Sequence, residues 1–319
     1  MAKLVNLKAI ELRELSNGSL FQSEFWAKVK KPVWQAFAFS FSIEDRKGTV
    51  LVLVRTFCHF FSLAYIPFGP VGITDTKELK LFSKALKTKL SKKVFLLRFD
   101  LPYKVFFNLS KDFKVCKESV QAEATVQIAL PQEFSLRLRA KRNINKTKAI
   151  FTVAKAESEE EILAWYECYK QTGVRDGFST RSFSYIKKLL AIKTEFVNPI
   201  LYVAKAEGKV VGGILNLRSQ KEEIYLFGAT LKTDEGLSPG YLMQEYAISE
   251  AIKAGVAIYD LFGIEGKEGR GEHLKSLTLF KTAFGGNKCY RMPTVDYYCH
   301  SLIAKAYRFF EAIRYHHYR

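Results

Sequence analysis

The sequence predicts an α/β protein of two tandem domains, each a mixed sheet flanked by helices, and three observations carry that expectation. The chain has 319 residues, more than one hydrophobic core usually fills. One order of elements, β-β-β-α-β, is read twice along it. Three residue pairs, Gly48 and Gly208, Tyr65 and Tyr225, and Asp100 and Asp260, are each 160 positions apart (208−48, 225−65, 260−100), which points to an internal duplication. A composition of 48% hydrophobic and 14% aromatic residues with only 8 prolines supplies the apolar surface that packed cores need.

In the first copy, residues 37–42 alternate, Arg46-Lys47-Gly48 is the expected turn, and residues 49–57 run apolar, so a hairpin feeds a central strand. A further strand is expected at 62–66, a break at Gly69-Pro70, a lysine-rich helix over about 75–90 and an apolar strand at 94–99 that ends on Asp100. The second copy repeats the order with strands at 200–206, 209–217 and 223–229, a turn at Glu207-Gly208, a helix over about 237–255 and a strand at 257–262. A hairpin running into a mixed sheet, then a helix and a parallel crossover strand, is the layout of the acyl-CoA N-acyltransferase (GNAT) fold. The expected domains are 1–136, joined by a C-terminal helix 297–319, and 137–296. A coenzyme A loop of the type Q/R-x-x-G-x-G/A would stand near 237–243, where the chain reads LSPGYLM. The single Gly240 followed by bulky Tyr241 closes off backbone approach to a phosphate, which disfavours acetyl-CoA.

Fifty Lys+Arg against 32 Asp+Glu give a formal charge of +18, a field that attracts RNA, anionic lipid or phosphorylated substrates; a solubilising surface is the plainer alternative. The first 15 residues mix Lys3, Lys8, Glu11, Arg13 and Glu14 among apolar ones, unlike a signal peptide. The longest apolar runs, such as 49–54, fall far below the ~20 residues that span a bilayer, so a cytoplasmic protein is expected. Five scattered cysteines without a C-x-x-C pair argue against a disulfide framework and a zinc site, and no metal or cofactor is expected. Residues 137–148 hold six basic residues and no acid. On a helix, Arg137, Lys141 and Lys148 share one side with Arg139 and Arg142 beside them, a density suited to tRNA phosphates or to a solvated face. Residues 301–319 read as a helix with Leu302, Ile303, Ala306, Phe309, Phe310 and Ile313 at helical spacing and Lys305, Arg308, Arg314 and Arg319 among them. It would pack on the first domain or lie on the anionic cytoplasmic membrane face.

Nine short segments, FQSEFWAKVKKPVW, YIPFGP, LLRFD, KRNINKTKA, GVRDGFSTRSFSY, VVGGILNL, YLFGAT, YDLFGI and LFKTAFGG, follow one another across about 270 residues. In them the chain resembles the Fem family of aminoacyl-tRNA-dependent aminoacyltransferases that build the peptidoglycan interpeptide bridge. No charged heptad stretch interrupts 169–217, so the layout is similar to the short FemX type without a coiled-coil insertion. The resemblance implies a monomer in which an amine of a stem peptide, on UDP-MurNAc-pentapeptide or lipid II, attacks the ester carbonyl of an aminoacyl-tRNA.

By the same resemblance, Lys28 or Lys30 and Arg181 would hold the acceptor's diphosphate, a task their donors suit. Tyr185, four residues after Arg181, would face the same pocket from a helix. Asp100 would line the substrate cleft, with a strand-end cap or ion pair as the alternative. Tyr225 and Phe227 alternate on one strand, are expected to face one side and would border the acceptor channel, core packing being the alternative. Phe280 and Lys281 match the family's catalytic pair, with the Lys281 ammonium placed to stabilise an oxyanion or, alternatively, to neutralise tRNA phosphate. The five histidines lie outside the matching segments, so no general base is indicated. Two other functions are compatible with the sequence: an acyl-CoA- or acyl-carrier-dependent N-acyltransferase, and a non-catalytic RNA- or membrane-binding module.

Overall fold

The β-β-β-α-β order folds twice, and each repeat closes into a seven-stranded sheet. A computed structural model describes residues 5–15, 19–232 and 236–317; the first four residues and the end of the expected terminal helix, Arg319 included, lie outside the described residues. The strands are β1 (Val5–Ile10), β2 (Gln35–Ile43), β3 (Arg46–Phe57), β4 (Phe61–Ile66), β5 (Val94–Phe99), β6 (Phe113–Val115), β7 (Ala124–Ala129), β8 (Thr152–Lys155), β9 (Asn198–Ala206), β10 (Lys209–Arg218), β11 (Glu222–Thr230), β12 (Ile258–Asp260), β13 (Asn287–Tyr290) and β14 (Val295–Tyr298). The helices are α1 (Glu24–Lys30), α2 (Thr76–Lys89), α3 (Leu138–Thr147), α4 (Glu159–Asp176), α5 (Phe183–Ala191), α6 (Gly240–Lys253), α7 (Lys275–Lys281) and α8 (Ser301–His317).

The chain divides into two units, Met1–Glu123 with Tyr290–Arg319, and Ala124–Cys289. The first sheet runs β1-β2-β3-β4-β5-β14-β6, and the second, read from its β8 edge, runs β8-β9-β10-β11-β12-β7-β13. In both, the hairpin strands are antiparallel, one parallel pair follows (β4 with β5, β11 with β12), and an antiparallel strand comes next. Two GNAT-like domains therefore share one topology. The strand beside each parallel pair crosses an expected boundary: β7 precedes 136/137 yet pairs with β12, and β14 begins before 296/297 yet pairs with β5. For this reason the boundaries fall at 123/124 and 289/290 instead of the expected 136/137 and 296/297. These short strands satisfy the inner edges of β5 and β12, whose backbone groups would otherwise be buried without partners.

Glu207 and Gly208 both have positive φ, 49° and 75°, the conformation of a two-residue hairpin turn that matches strand twist. The first hairpin turns earlier than expected, at Glu44-Asp45, since Ile43 already pairs with Arg46. Gly48 lies inside β3 opposite Phe41, and a Cβ there would come within 2.8 Å of the Phe41 ring. Gly48 thus makes room for a ring while Gly208 makes a turn, and the two are not equivalent positions.

Helix α2 starts where Asp75 accepts the Glu78 N–H at 2.8 Å and buries Leu79, Phe82 and Leu86 at helical spacing against Val52, Ala64 and Phe99. Each such side chain contributes about 1.5–3 kcal/mol on burial. Its counterpart α6 buries Met243, Ala247, Ile248 and Ala251, starts three residues later than expected behind Pro239, and has no side-chain cap. In α8, Ala304 is buried, the Tyr307 ring meets those of Phe57 and Phe95 at 5.9 and 5.4 Å, and Glu311 pairs with Arg98 at 2.7 Å. One face of α8 therefore packs on the first sheet. Among the described residues no helix is long and apolar enough to cross a membrane.

Candidate active site in the second unit

The site grows from an irregularity in the central hairpin. Strand β11 carries one extra residue, Leu226, because Tyr225 pairs with Asn216 and Phe227 with Leu215. Opposed residues share a face of the sheet while neighbours alternate, so the bulge turns Tyr225 and Phe227 to opposite faces, contrary to the expected single side. Phe227 meets Tyr169 of α4 at 5.9 Å. Tyr225 lies on the other face, where its hydroxyl fills the space beside Gly228: a Cβ there would stand 1.9 Å from it.

Tyr225 shares that face with Lys281, whose Nζ lies 5.4 Å from the centre of the phenol ring. Lys281 closes α7, is only 6% exposed, and donates to the carbonyls of Phe262 and, at 2.8 Å, Gly263. An ammonium has three N–H donors, so one is left for a ligand. Burial pushes its pKa down to about 7, opposed by the Asp260 carboxylate. Asp260 accepts hydrogen bonds from Thr125, from Gln127 at 3.0 Å and from the Phe262 N–H at 2.8 Å. Burial pushes the Tyr225 phenol up to about 12, which keeps it a proton donor at neutral pH.

Tyr225 lines a cavity of about 250 Å³ together with Gly228, Gly240, Tyr241, Gln244 and Phe280 among others. The rings of Tyr241, Phe280 and Phe284 pack mutually at 4.9–5.7 Å and form one wall. Two buried polar atoms on its lining residues, Asn143 Oδ1 and Gln244 Nε2, have no hydrogen-bond partner within the chain. Such orphans are costly unless a ligand or water completes them. Asn143 and Tyr241 also line an adjoining open groove of about 510 Å³ whose other walls include Leu138, Arg139, Arg142, Lys146 and Leu237. Helix α3 buries Ala140, Ile144 and Thr147, which sets the direction of every other side chain. Arg139, Arg142 and Lys146 consequently face the groove, whereas Arg137, the N-cap residue, and Lys141 are exposed but are not among the residues that line it.

The other expected site residues lie elsewhere. Arg181 precedes α5, which begins behind the Ser182 cap, so it is not on a helix with Tyr185; its guanidinium nevertheless reaches within 5.7 Å of the Tyr185 ring. Both belong to the second unit, as does Phe227. Lys28, Lys30 and Asp100 belong to the first. Lys28 pairs with Glu24 at 2.9 Å and Lys30 lies 4.3 Å over the Trp26 ring. Asp100 is fully buried and takes the ion-pair alternative: it accepts from Tyr65 and Thr294 and pairs with Arg291 at 3.0 Å. The neighbouring Arg98 turns away from it, to Asp296 and Glu311.

Residues 193–312, which include α7 and Lys281, match the FemAB family model. The match covers 120 of the 319 residues, so this stretch of the chain is similar to the Fem family. The crystal structure of FemX has the same fold, with a TM-score of 0.75 and 17% identity over 95% of this chain and 100% of that one. A tandem GNAT protein from the clavulanic acid biosynthesis pathway aligns at a TM-score of 0.51 and 7% identity over 92% of this chain and 98% of its own. No curated protein matches the sequence significantly.

Four residues of this site were not singled out from the sequence for a place in it. Asn143 and Lys146 lie within the segment KRNINKTKA and Gly228 within YLFGAT, but no role was read for them, and Gln244 lies in none of the nine segments.

Proposed function

We propose that this chain is a Fem-type acyltransferase of the general kind that builds peptidoglycan bridges, and that it transfers an aminoacyl group from aminoacyl-tRNA to an amine of a peptidoglycan-precursor stem peptide. The observation that supports this reading most is continuity: a groove walled by Arg139, Arg142 and Lys146 meets, at Asn143 and Tyr241, a cavity lined by Tyr225 and Phe280, with Lys281 against Tyr225. Phosphates of the tRNA acceptor end occupy the groove, and the esterified amino acid enters the cavity. Asn143 Oδ1 and Gln244 Nε2 then find partners on the terminal nucleoside or the amino acid.

In the reaction the acceptor nitrogen attacks the ester carbonyl carbon. The C–N bond forms, the C–O bond to the ribose breaks, and the nitrogen's proton passes to the departing ribose oxygen or its neighbouring hydroxyl. Negative charge gathers on the carbonyl oxygen in between, and the remaining N–H of Lys281 stabilises it by about 2.7–4 kcal/mol, the worth of one oxyanion-hole donor. Phe280 holds the cavity wall beside it. Because an aminoacyl ester is already activated, positioning suffices without a dedicated base.

The acceptor is UDP-MurNAc-pentapeptide or lipid II, with Arg181 of the second unit suited to its diphosphate and Tyr185 to a hydrogen bond. This places the reaction on the cytoplasmic side. Incubating the protein with mixed charged tRNAs and each acceptor, then weighing the products, tests the reading: an acceptor heavier by one aminoacyl residue, lost after ribonuclease treatment, is the expected result. Stoichiometric thiol release from acetyl-CoA with indifference to ribonuclease would replace it with acyl-CoA chemistry.

A further inference from the structure

Helix α8 is amphipathic twice over. Its inward face holds Ala304, Tyr307 and Glu311, which pack on the first unit's sheet and pair with Arg98. At 100° per residue, Leu302, Phe309, Phe310 and Ile313 fall together on the opposite face. There they are exposed by 84%, 64%, 67% and 52%. Four large apolar side chains in one stripe along a helix are not the scattered exposure that any surface tolerates.

The charges around the stripe identify what covers it. Lys305 borders it on one flank and Arg314 on the other, as helical spacing requires of those positions. The only carboxylate of the described helix, Glu311, is turned inward to Arg98. The outward half of α8 therefore combines apolar and cationic side chains and no acid. Beyond the helix start, the β3–β4 turn exposes Phe60 by 70%. That turn is tied to the same corner, since Lys93 donates to the His59 carbonyl at 2.9 Å and the His300 ring meets the Lys92 carbonyl at 3.1 Å.

We propose that α8 is a docking helix for an anionic lipid surface, lying in the interface with Leu302, Phe309, Phe310 and Ile313 among the acyl chains and Lys305 and Arg314 at the phosphates. Apolar stripes flanked by cations are what interfacial helices present, their long basic side chains reaching back to the headgroups. A second copy of the chain fits less well, because it would bring two cationic rims of a chain with net charge +18 against each other. The docking stands independently of the acyl-transfer reading, since it uses no residue of the second unit.

Co-sedimentation of the full chain with phosphatidylcholine vesicles, with and without phosphatidylglycerol, tests it. Strong binding to the anionic vesicles and little to the neutral ones is expected. Phe309→Ser with Phe310→Ser, both at exposed positions that leave the packed face intact, should abolish it. Lys305→Glu and Arg314→Glu should each weaken partition by about fivefold or more, and binding should fall with added salt. No sedimentation with anionic vesicles, or binding that the phenylalanine pair leaves unchanged, overturns the proposal. A concentration-dependent dimer in light scattering, dissolved by the same pair without any vesicle binding, overturns it in favour of self-association.

Discussion

The two units have one strand order yet treat the same places differently. In the first, the crossover helix α2 begins with its own cap, Asp75, and the buried Glu78 of its first turn is taken up by Arg46 and Thr74. In the second, α6 begins behind Pro239 without a side-chain cap, and Gln244 in its second turn leaves Nε2 unpartnered. At the end of β5, Asp100 meets the guanidinium of Arg291, which also donates to the carbonyls of Gln121, Ala122 and Met292. At the end of β12, Asp260 neighbours Lys281, an ammonium that lies 5.4 Å from the ring of Tyr225, a residue of the cavity wall. The difference teaches that a duplicated fold can turn one copy into a sealed structural body and leave the other open for chemistry. Around Asp100 and Glu78 the polar groups are satisfied within the chain, whereas Asn143, Asn216 and Gln244 of the second unit each leave a buried polar atom unpartnered; in the first unit Trp26 Nε1 is the counterpart.

The comparison is broken most forcefully at Arg291. Arg291→Met strands the buried Asp100, and breaking a buried pair from one side costs about 3–5 kcal/mol. A large drop in denaturation midpoint is expected, and an unchanged midpoint would show that the first unit is not sealed by this pair. Reversing the groove charges, Arg139→Glu with Arg142→Glu and Lys146→Glu, should leave the midpoint near that of the parent. It should flatten the salt dependence of tRNA affinity, log K against log salt, by roughly 2 to 3 in slope for three lost phosphate contacts. Arg137→Glu with Lys141→Glu, which carry similar charge outside the groove, should change that slope much less.

Gln244→Glu keeps the acceptor of the Tyr259 hydroxyl but removes the free cavity donor, and loss of one hydrogen bond of about 0.5–1.5 kcal/mol should raise KM for aminoacyl-tRNA about three- to tenfold. The smallest effect is in pH. The unfolded lysine stays protonated up to its ordinary value near 10.5, while in the fold burial brings Lys281 down to about 7. Between those values the unfolded chain binds the extra proton, so the contribution of Lys281 makes stability rise with pH across that window. Turnover runs the opposite way if the ammonium is needed: the rate per neutral acceptor amine should fall as pH rises through about 7. A rate that climbs through that pH and flattens in Lys281→Arg would make residue 281 a base.

Much of the fold was legible because its signals are local. The alternation in 37–42, the apolar runs at 94–99 and 200–206, and the Asp75 cap each act within a few residues, and the strands and helices formed there. Partner choice was not legible. No strand was expected at 124–129 or 295–298, and only their pairing with β12 and β5 assigns each to its sheet. In the site, Lys281 and Tyr225 stood out through short motifs, whereas the bulge at Leu226 that separates Tyr225 from Phe227 depends on how β10 pairs with β11. The basic cluster of α3 was visible as a count of charges. Which of them face the groove was decided by the burial of Ala140, Ile144 and Thr147, a tertiary fact. Asp100 looked chemically available until the distant Thr294 and Arg291 closed over it.

Single-turnover transfer from a charged tRNA, measured for the parent chain and for Lys281→Met at saturating acceptor, tests the role of the second unit most directly. The expected result is a rate lowered by about 10²–10³, the loss of one oxyanion donor, with acceptor and tRNA dissociation constants essentially unchanged. A variant that transfers at the parent rate, or one that loses binding and turnover equally, would contradict the placement of the reacting oxygen at Lys281.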